Sequence, residues 1–205
     1  MDATDWDRRY DTGAYVWHTD PNRFLPAMVA GLEPERALDL ACGEGRNAVW
    51  LARQGWSVTA VDFSAVGLDK GRRLAEHHDV AVDWVHADLT TWPGIPGAFD
   101  LVVAFYLQLP SNERRAAITA AARALAPGGT LIVVAHDSRN LADGVGGPQD
   151  PVVLYDADDL RADIAGADVA DLTVELAGEL LREVDTEAGP KSAIDCLLRA
   201  HRTPA

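Results

Sequence analysis

Lysine is nearly missing from this chain of 205 residues: only Lys70 and Lys191 occur, and arginine supplies the rest of a positive charge so outweighed that the formal net charge is −14. Such an excess of acid repels phosphate backbones, so no nucleic-acid partner is expected. Arg114, Arg115 and Arg123 read as a solvated helix face. Cysteine is as scarce, at two residues, and no disulfide framework is expected. Cys196 alternates with Ile194 and Leu198 and reads as core. No apolar run nears the roughly 18 residues of a membrane span, and residues 1–10 carry no basic, apolar leader, so the expectation is a cytoplasmic protein with no membrane partner. Metal-ligand spacing is lacking too. His77 and His78 are helical neighbours pointing about 100° apart, and His136, Asp137 and Asp143 match no diagnostic pattern. What remains, a hydrophobic fraction of 48%, suits a single domain over residues 1–205 with a full core.

Residues 36–62, RALDLACGEGRNAVWLARQGWSVTAVD, organise the rest. The run reads as strand, glycine turn, helix and strand, with Gly43 and Gly45 permitting positive φ and close approach to a ligand. A helix follows from about Arg46 to a stop at Gly55, and residues 57–61 form a β-branched strand ending in Asp62. That is half of a nucleotide-binding βαβ unit. Gly43, Gly45, Ala48 and Asp62 formally fit a dinucleotide pattern, so a nicotinamide enzyme is one reading. Asp39, however, sits at the strand edge where a diphosphate would be repelled. S-adenosylmethionine is a cationic adenosine compound without phosphate, and Asp39 suits its amino end as Asp62 suits its ribose hydroxyls.

The stretch LDLACGEGRNAVWLARQGWSVTAVDFS resembles the first two motifs of class I S-adenosylmethionine-dependent methyltransferases, most of all the tellurite-resistance and thiopurine-methyltransferase-like branch. The pattern L-x-P-G-G-x-L-x-V at residues 125–133 is a further signature of that class. The resemblance implies an α/β, Rossmann-like, doubly wound sheet of seven strands, mostly parallel with an antiparallel C-terminal hairpin strand. It implies S-adenosyl-L-methionine as cofactor, held by Trp17, Asp39, Ala41, Cys42, Gly43, Gly45, Arg46, Asn47, Asp62, Phe63, Ser64, Asp88, Leu89 and Phe105. Asp88 is assigned to the adenine amino group by the same likeness. Residues 1–32 should form a lid and helix, and residues 36–205 the core.

Several further elements are expected in order. Trp6, Tyr10, Tyr15 and Trp17 lie among charges in a segment too polar for core. Pro21 and Asn22 should open a helix to about Leu32. Ser64 caps a helix reaching about His77, and residues 80–86 form a strand. Residues 99–105, FDLVVAF, read as a central strand buried on both faces, with Tyr106 to Leu109 at its carboxyl end. Ser111 should cap the next helix, stopped at Pro127-Gly128-Gly129, and residues 130–135 form the fifth strand. Residues 138–155 make a loop longer than a connection needs, hence an acceptor-site loop. A short helix over 156–164 leads to strands over 172–184 and 193–201, with a bulge at Gly178.

Methyl transfer from a sulfonium is an in-line displacement in which orientation supplies much of the rate. A small-molecule acceptor is expected, its nucleophile a thiol, a chalcogen oxyanion or a hydroxyl. A hydroxyl needs a base, and His136, with Tyr106 and Asp137 beside it, is the catalytic candidate. Two alternatives stay open: an O-methyltransferase of a sugar or natural-product hydroxyl with His136 as general base, and a non-catalytic S-adenosylmethionine-binding protein.

Overall fold

Short aliphatic runs separated by glycine turns and helices can bury both faces only as a largely parallel sheet between helical layers. In the computed structural model, which describes residues 2–187 and 189–204, strands β1 (Arg36–Leu40), β2 (Ser57–Asp62), β3 (Asp83–His86), β4 (Phe99–Phe105), β5 (Leu125–His136), β6 (Leu172–Thr186) and β7 (Gly189–Arg202) form one sheet. Their order is β3-β2-β1-β4-β5-β7-β6. The first five are parallel, and β7 runs antiparallel between β5 and β6. The expected fold class is therefore the observed one.

Strand alternation splits the core into two layers. Leu38, Leu40, Val102, Ala104, Leu131 and Val133 face Ile118 of α5 (Ser111–Ala124) and Leu160 of α7 (Ala157–Gly166). Ala37, Leu101, Val103, Phe105, Ile132 and Val134 face α2 (Leu25–Met28), α3 (Arg46–Arg53) and α4 (Ala65–His77). β4 is buried on both faces, and Ser64 caps α4 by accepting from the Gly67 amide, both as expected. No helix among the described residues is long and apolar enough to cross a membrane.

Several local expectations are corrected. The segment thought too polar for core contains α1 (Ala3–Tyr10), and Tyr10 is buried. The helix expected over residues 22–32 shrinks to the single turn α2, because Pro26 has no N–H to bond back to Asn22 and Gly31 turns the chain at φ +85°. Pro110, not Ser111, is the N-cap of α5 and offers no side-chain bond. β5 begins at Leu125, with Pro127-Gly128-Gly129 inside it as an irregularity between Phe99 and Leu101 of the neighbour. Gly129 is required there, since a Cβ would lie 2.9 Å from two carbonyl oxygens. The register shift of β6 falls between Val174 and Leu176 rather than at Gly178. Residues 138–155 are not bare loop: they hold α6 (Asn140–Asp143) and a 3₁₀ turn at Pro151–Val153. Arg114 leaves the supposed solvated face altogether and is buried against Asp163, 2.6 Å away.

Candidate active site

The carboxyl ends of β1 and β2 meet at the glycine loop. Ala41, Gly43 and Gly45 take φ of +55°, +54° and +78°. Gly43 donates its amide to Oδ2 of Asp62 at 2.8 Å, and the Ser64 amide donates to Oδ1 at 2.8 Å, so the carboxylate staples the loop to the start of α4. Burial raises the Asp62 pKa against the lowering effect of those amides. The close approach at the glycines is to the protein itself: a Cβ on Gly45 would fall 2.5 Å from the Trp84 ring, one on Gly71 2.6 Å from it, and one on Gly43 2.7 Å from the Tyr10 hydroxyl. Cys42 is a buried thiol whose pKa is pushed well up by burial.

Beneath the loop Asp39 is buried with Oδ2 unpartnered. Burial lifts its pKa to about 8, with the Ala48 amide opposing and Asp62 adding. Arg46, the first residue of α3, forms no hydrogen bond or ion pair among the described residues, and burial lowers its pKa while Tyr106, Asp39 and Tyr10 offset this. Asn47 accepts the Asn22 amide at 2.8 Å, and Phe105 is buried under the sheet edge. Phe63 accepts a contact from His86 Nε2 at its carbonyl, 2.9 Å. Asp88 is exposed and accepts from Thr90 N and Oγ1 in a turn, while Leu89 is buried beside it.

Sequence reasoning missed what holds the N-terminal arm. Glu44, within the glycine motif, accepts the amides of Val16 and Trp17 at 2.9 and 3.0 Å and pairs with Lys70 at 2.9 Å, both side chains being buried. Lys70 also donates to the Ala14 carbonyl at 2.6 Å. Asp7 of α1 accepts from the Ser64 hydroxyl and the Val66 amide at the N-terminus of α4, where an anion is favoured. Trp17, 40% exposed, stacks on Arg9. The signal was present in that an acid inside a glycine loop and one of only two lysines lacked any other task. Glu44→Ala removes two bonds to a charged acceptor, so hydrogen exchange at the Val16 and Trp17 amides should quicken by at least about tenfold. Unchanged exchange would show that the arm is held by other contacts.

The second cluster lies where β4 and β5 end. Tyr106 has φ +60°, and its ring lies 4.6 Å from that of His136. Asp195 of β7 sits directly across from His136 of β5, with its Oδ1 3.2 Å from His136 Nδ1. The Tyr106 hydroxyl donates to Oδ2 of Asp195 at 3.0 Å, and Arg182 Nε donates to it at 2.8 Å. Burial and the Asp195 charge push Tyr106 up to about 12, so at neutral pH it is a donor and no base. Asp137, expected beside His136, points to the other face of the sheet by strand alternation, accepts the Arg139 amide at 2.8 Å and neighbours Cys196. Its pKa is raised by burial. The loop over residues 138–155 does reach this cluster, through Gly147 against the imidazole and through Gln108, which joins the His136 amide to the Val153 carbonyl. Among the described residues no group of His, Cys, Asp and Glu could hold a metal ion.

Residues 37–129 match the family described as a methyltransferase domain. A demethylmenaquinone methyltransferase of Clavibacter sepedonicus is 38% identical over 118 residues, 58% of this chain and 46% of that protein. Ribosomal RNA small subunit methyltransferase C of Chromohalobacter salexigens is 30% identical over 55% of this chain and 34% of its own length. The chain thus spans less than half of either relative. The crystal structure of TehB from Haemophilus influenzae superposes with a TM-score of 0.72 at 19% identity, over 97% of this chain and 66% of that one. Residues 37–129 are thus similar to a methyltransferase domain, and the seven-stranded sheet that contains them shares the fold of TehB.

Proposed function

We propose that this chain transfers the methyl group of S-adenosylmethionine to a small-molecule nucleophile by in-line displacement. One observation carries the reading: a buried acid with an orphaned oxygen, Asp39, stands within electrostatic range of an unpaired guanidinium, Arg46, under the glycine loop. Opposite charges so placed match the ammonium and carboxylate of an amino acid, and a diphosphate would meet two buried acids instead. Asp62, with lone pairs left beyond its two amide bonds, suits the ribose diol. Asp88, Leu89 and Phe63 would serve the adenine, with Ala41, Cys42, Gly43, Gly45, Asn47, Ser64 and Phe105 forming the floor. When bound, the cofactor supplies a methyl group on a sulfonium. The chain's part is to orient, and to exclude water by an arm over residues 1–32 closing on the core of residues 36–205 through Trp17.

A small acceptor is supported by the net charge of −14, which opposes RNA, the acceptor named for one relative. The likeness to the tellurite-resistance and thiopurine branch admits thiols and chalcogen oxyanions beside hydroxyls. Calorimetry with S-adenosylmethionine and deuterium-methyl transfer to an acceptor library, followed by mass spectrometry, test the reading. Binding without transfer would leave a non-catalytic binding protein.

Proton release tests the Asp39 role separately. With a folded pKa of about 8 against 3.8 for a free carboxyl, Asp39 is neutral in the empty protein at pH 7. Its contribution to stability is present at low pH and is lost as pH rises toward 8. A bound ammonium restores the charge, so binding at pH 7 should expel a proton, read as a heat that changes with the ionisation enthalpy of the buffer. Asp39→Asn should abolish the buffer dependence; its persistence would remove Asp39 from the site.

A further inference from the structure

Three elements converge on the carboxylate of Asp195, which is fully buried on β7. His136 of β5, Arg182 of β6 and Tyr106 after β4 all reach it, and Arg46 of α3 lies near Tyr106 and Arg182. Burial by itself would raise the Asp195 pKa, but the His136 and Arg182 contacts outweigh it and the net shift is downward, so the carboxylate is ionised. His136 Nδ1 is buried, and its one polar contact among the described residues is that anion, at 3.2 Å and outside hydrogen-bond alignment. A nitrogen facing an anion carries the proton, so whenever the ring holds a single proton Nε2 is the acceptor. Nε2 makes no hydrogen bond among the described residues and, unlike Nδ1, is not a buried unpartnered atom. The ring cannot slide: Tyr106 covers one side, held at φ +60°, a strained conformation of the kind retained at functional sites. Gly147 packs so closely that a Cβ there would come within 3.0 Å.

We propose that Asp195 is the positioning residue that holds His136 with Nε2 free as general base, and that the acceptor is accordingly a small molecule bearing a hydroxyl, an alcohol or phenol. The proposal rests on the methyl-transfer reading above and names its acceptor. A thiol, with a pKa near 8.5, is partly ionised at neutral pH and has little use for an oriented base, whereas a hydroxyl, at about 10 or higher, has. In the step, an oxygen lone pair forms the C–O bond to the methyl carbon as the S–C bond breaks. That bond's electron pair stays on sulfur, giving S-adenosylhomocysteine. The hydroxyl proton passes to Nε2, and the imidazolium so formed is paired with Asp195.

The test needs no acceptor. Long-range ¹⁵N–¹H spectra of histidine-labelled protein report the tautomer, with S-adenosylhomocysteine bound and with sinefungin bound, the latter carrying a positive amine where the sulfonium sits. Expected are the Nδ1–H tautomer of His136 in both complexes and an Nε2 resonance that shifts between them, because a base facing the methyl position feels that charge. Asp195→Ala, which leaves Nδ1 no anion to face, should abolish the preference for Nδ1–H. Arg182→Met, at a partly exposed position, leaves Asp195 in place and should keep that preference, and serves if the first variant does not fold. A proton on Nε2 in the wild type, or an Nε2 resonance indifferent to ligand charge, would overturn the proposal, as would methylation of 2-mercaptoethanol at a rate that His136→Gln leaves unchanged. Binding of neither ligand would refute the methyl-transfer reading itself, and this proposal with it, an outcome distinct from complexes in which His136 ignores the charge.

Discussion

Asp62→Ala should weaken S-adenosylmethionine binding by about a hundredfold or more. Asp62 is 4% exposed and accepts two amides, from Gly43 and from Ser64, each at 2.8 Å. Bonds to a charged group contribute about 1.5–3 kcal/mol each. Alanine therefore loosens the loop as well as removing the acceptor proposed for the ribose hydroxyls, and about 2.7 kcal/mol is already a factor of 100. Asp62→Asn is the stricter comparison, because it keeps the shape but can turn an N–H toward the Gly43 amide. Calorimetry on the two variants checks this, and wild-type affinity in both would refute the assignment of Asp62 to the cofactor.

The largest stability effect is expected far from that crevice. Arg114 of α5 donates to Asp163 of α7 at 2.6 Å, lies 3.4 Å from Asp159 and stacks 4.7 Å from the centroid of the Tyr155 ring. Arg114 and Asp163 are 3% and 1% exposed, so Arg114→Met leaves a buried carboxylate between two helices with only the longer contact to the exposed Arg115, at 3.5 Å. Breaking such a pair from one side costs about 3–5 kcal/mol, whereas replacing both partners with apolar groups is often neutral. Urea unfolding should show most of the loss recovered in Arg114→Met combined with Asp163→Leu. Equal stability of the single variant and the wild type would mean that Arg115 or water compensates Asp163. The sequence placed Arg114 on a solvated face because its neighbours Arg115 and Arg123 are polar too, and only the packing of α7 across α5 reveals the burial.

The glycine-loop unit that carries the proposed cofactor residues was legible because its parts are local. Asp39, Gly43, Gly45, Arg46 and Asp62 lie within one strand-turn-helix-strand unit, where a two-residue period, a left-handed turn and a helix start are each written in adjacent residues. The Ser64 cap is readable for the same reason. Tyr10 was misjudged because burial of the arm depends on Glu44 and Lys70, which no local pattern links to it, whereas the short α2 follows from Pro26 and Gly31, both visible in the chain.

By itself, then, the sequence determined the alternating α/β order and the acids at the glycine loop, since each follows from short-range periodicity and turn chemistry, while the antiparallel C-terminal hairpin was implied by the family resemblance. Which side chain of the hairpin meets His136 was decided by the tertiary structure alone. A strand sends neighbouring residues to opposite faces, so Asp137 could stand beside His136 in the chain and still miss it. Asp195, across the sheet, reaches it because β7 pairs with β5 in one particular register.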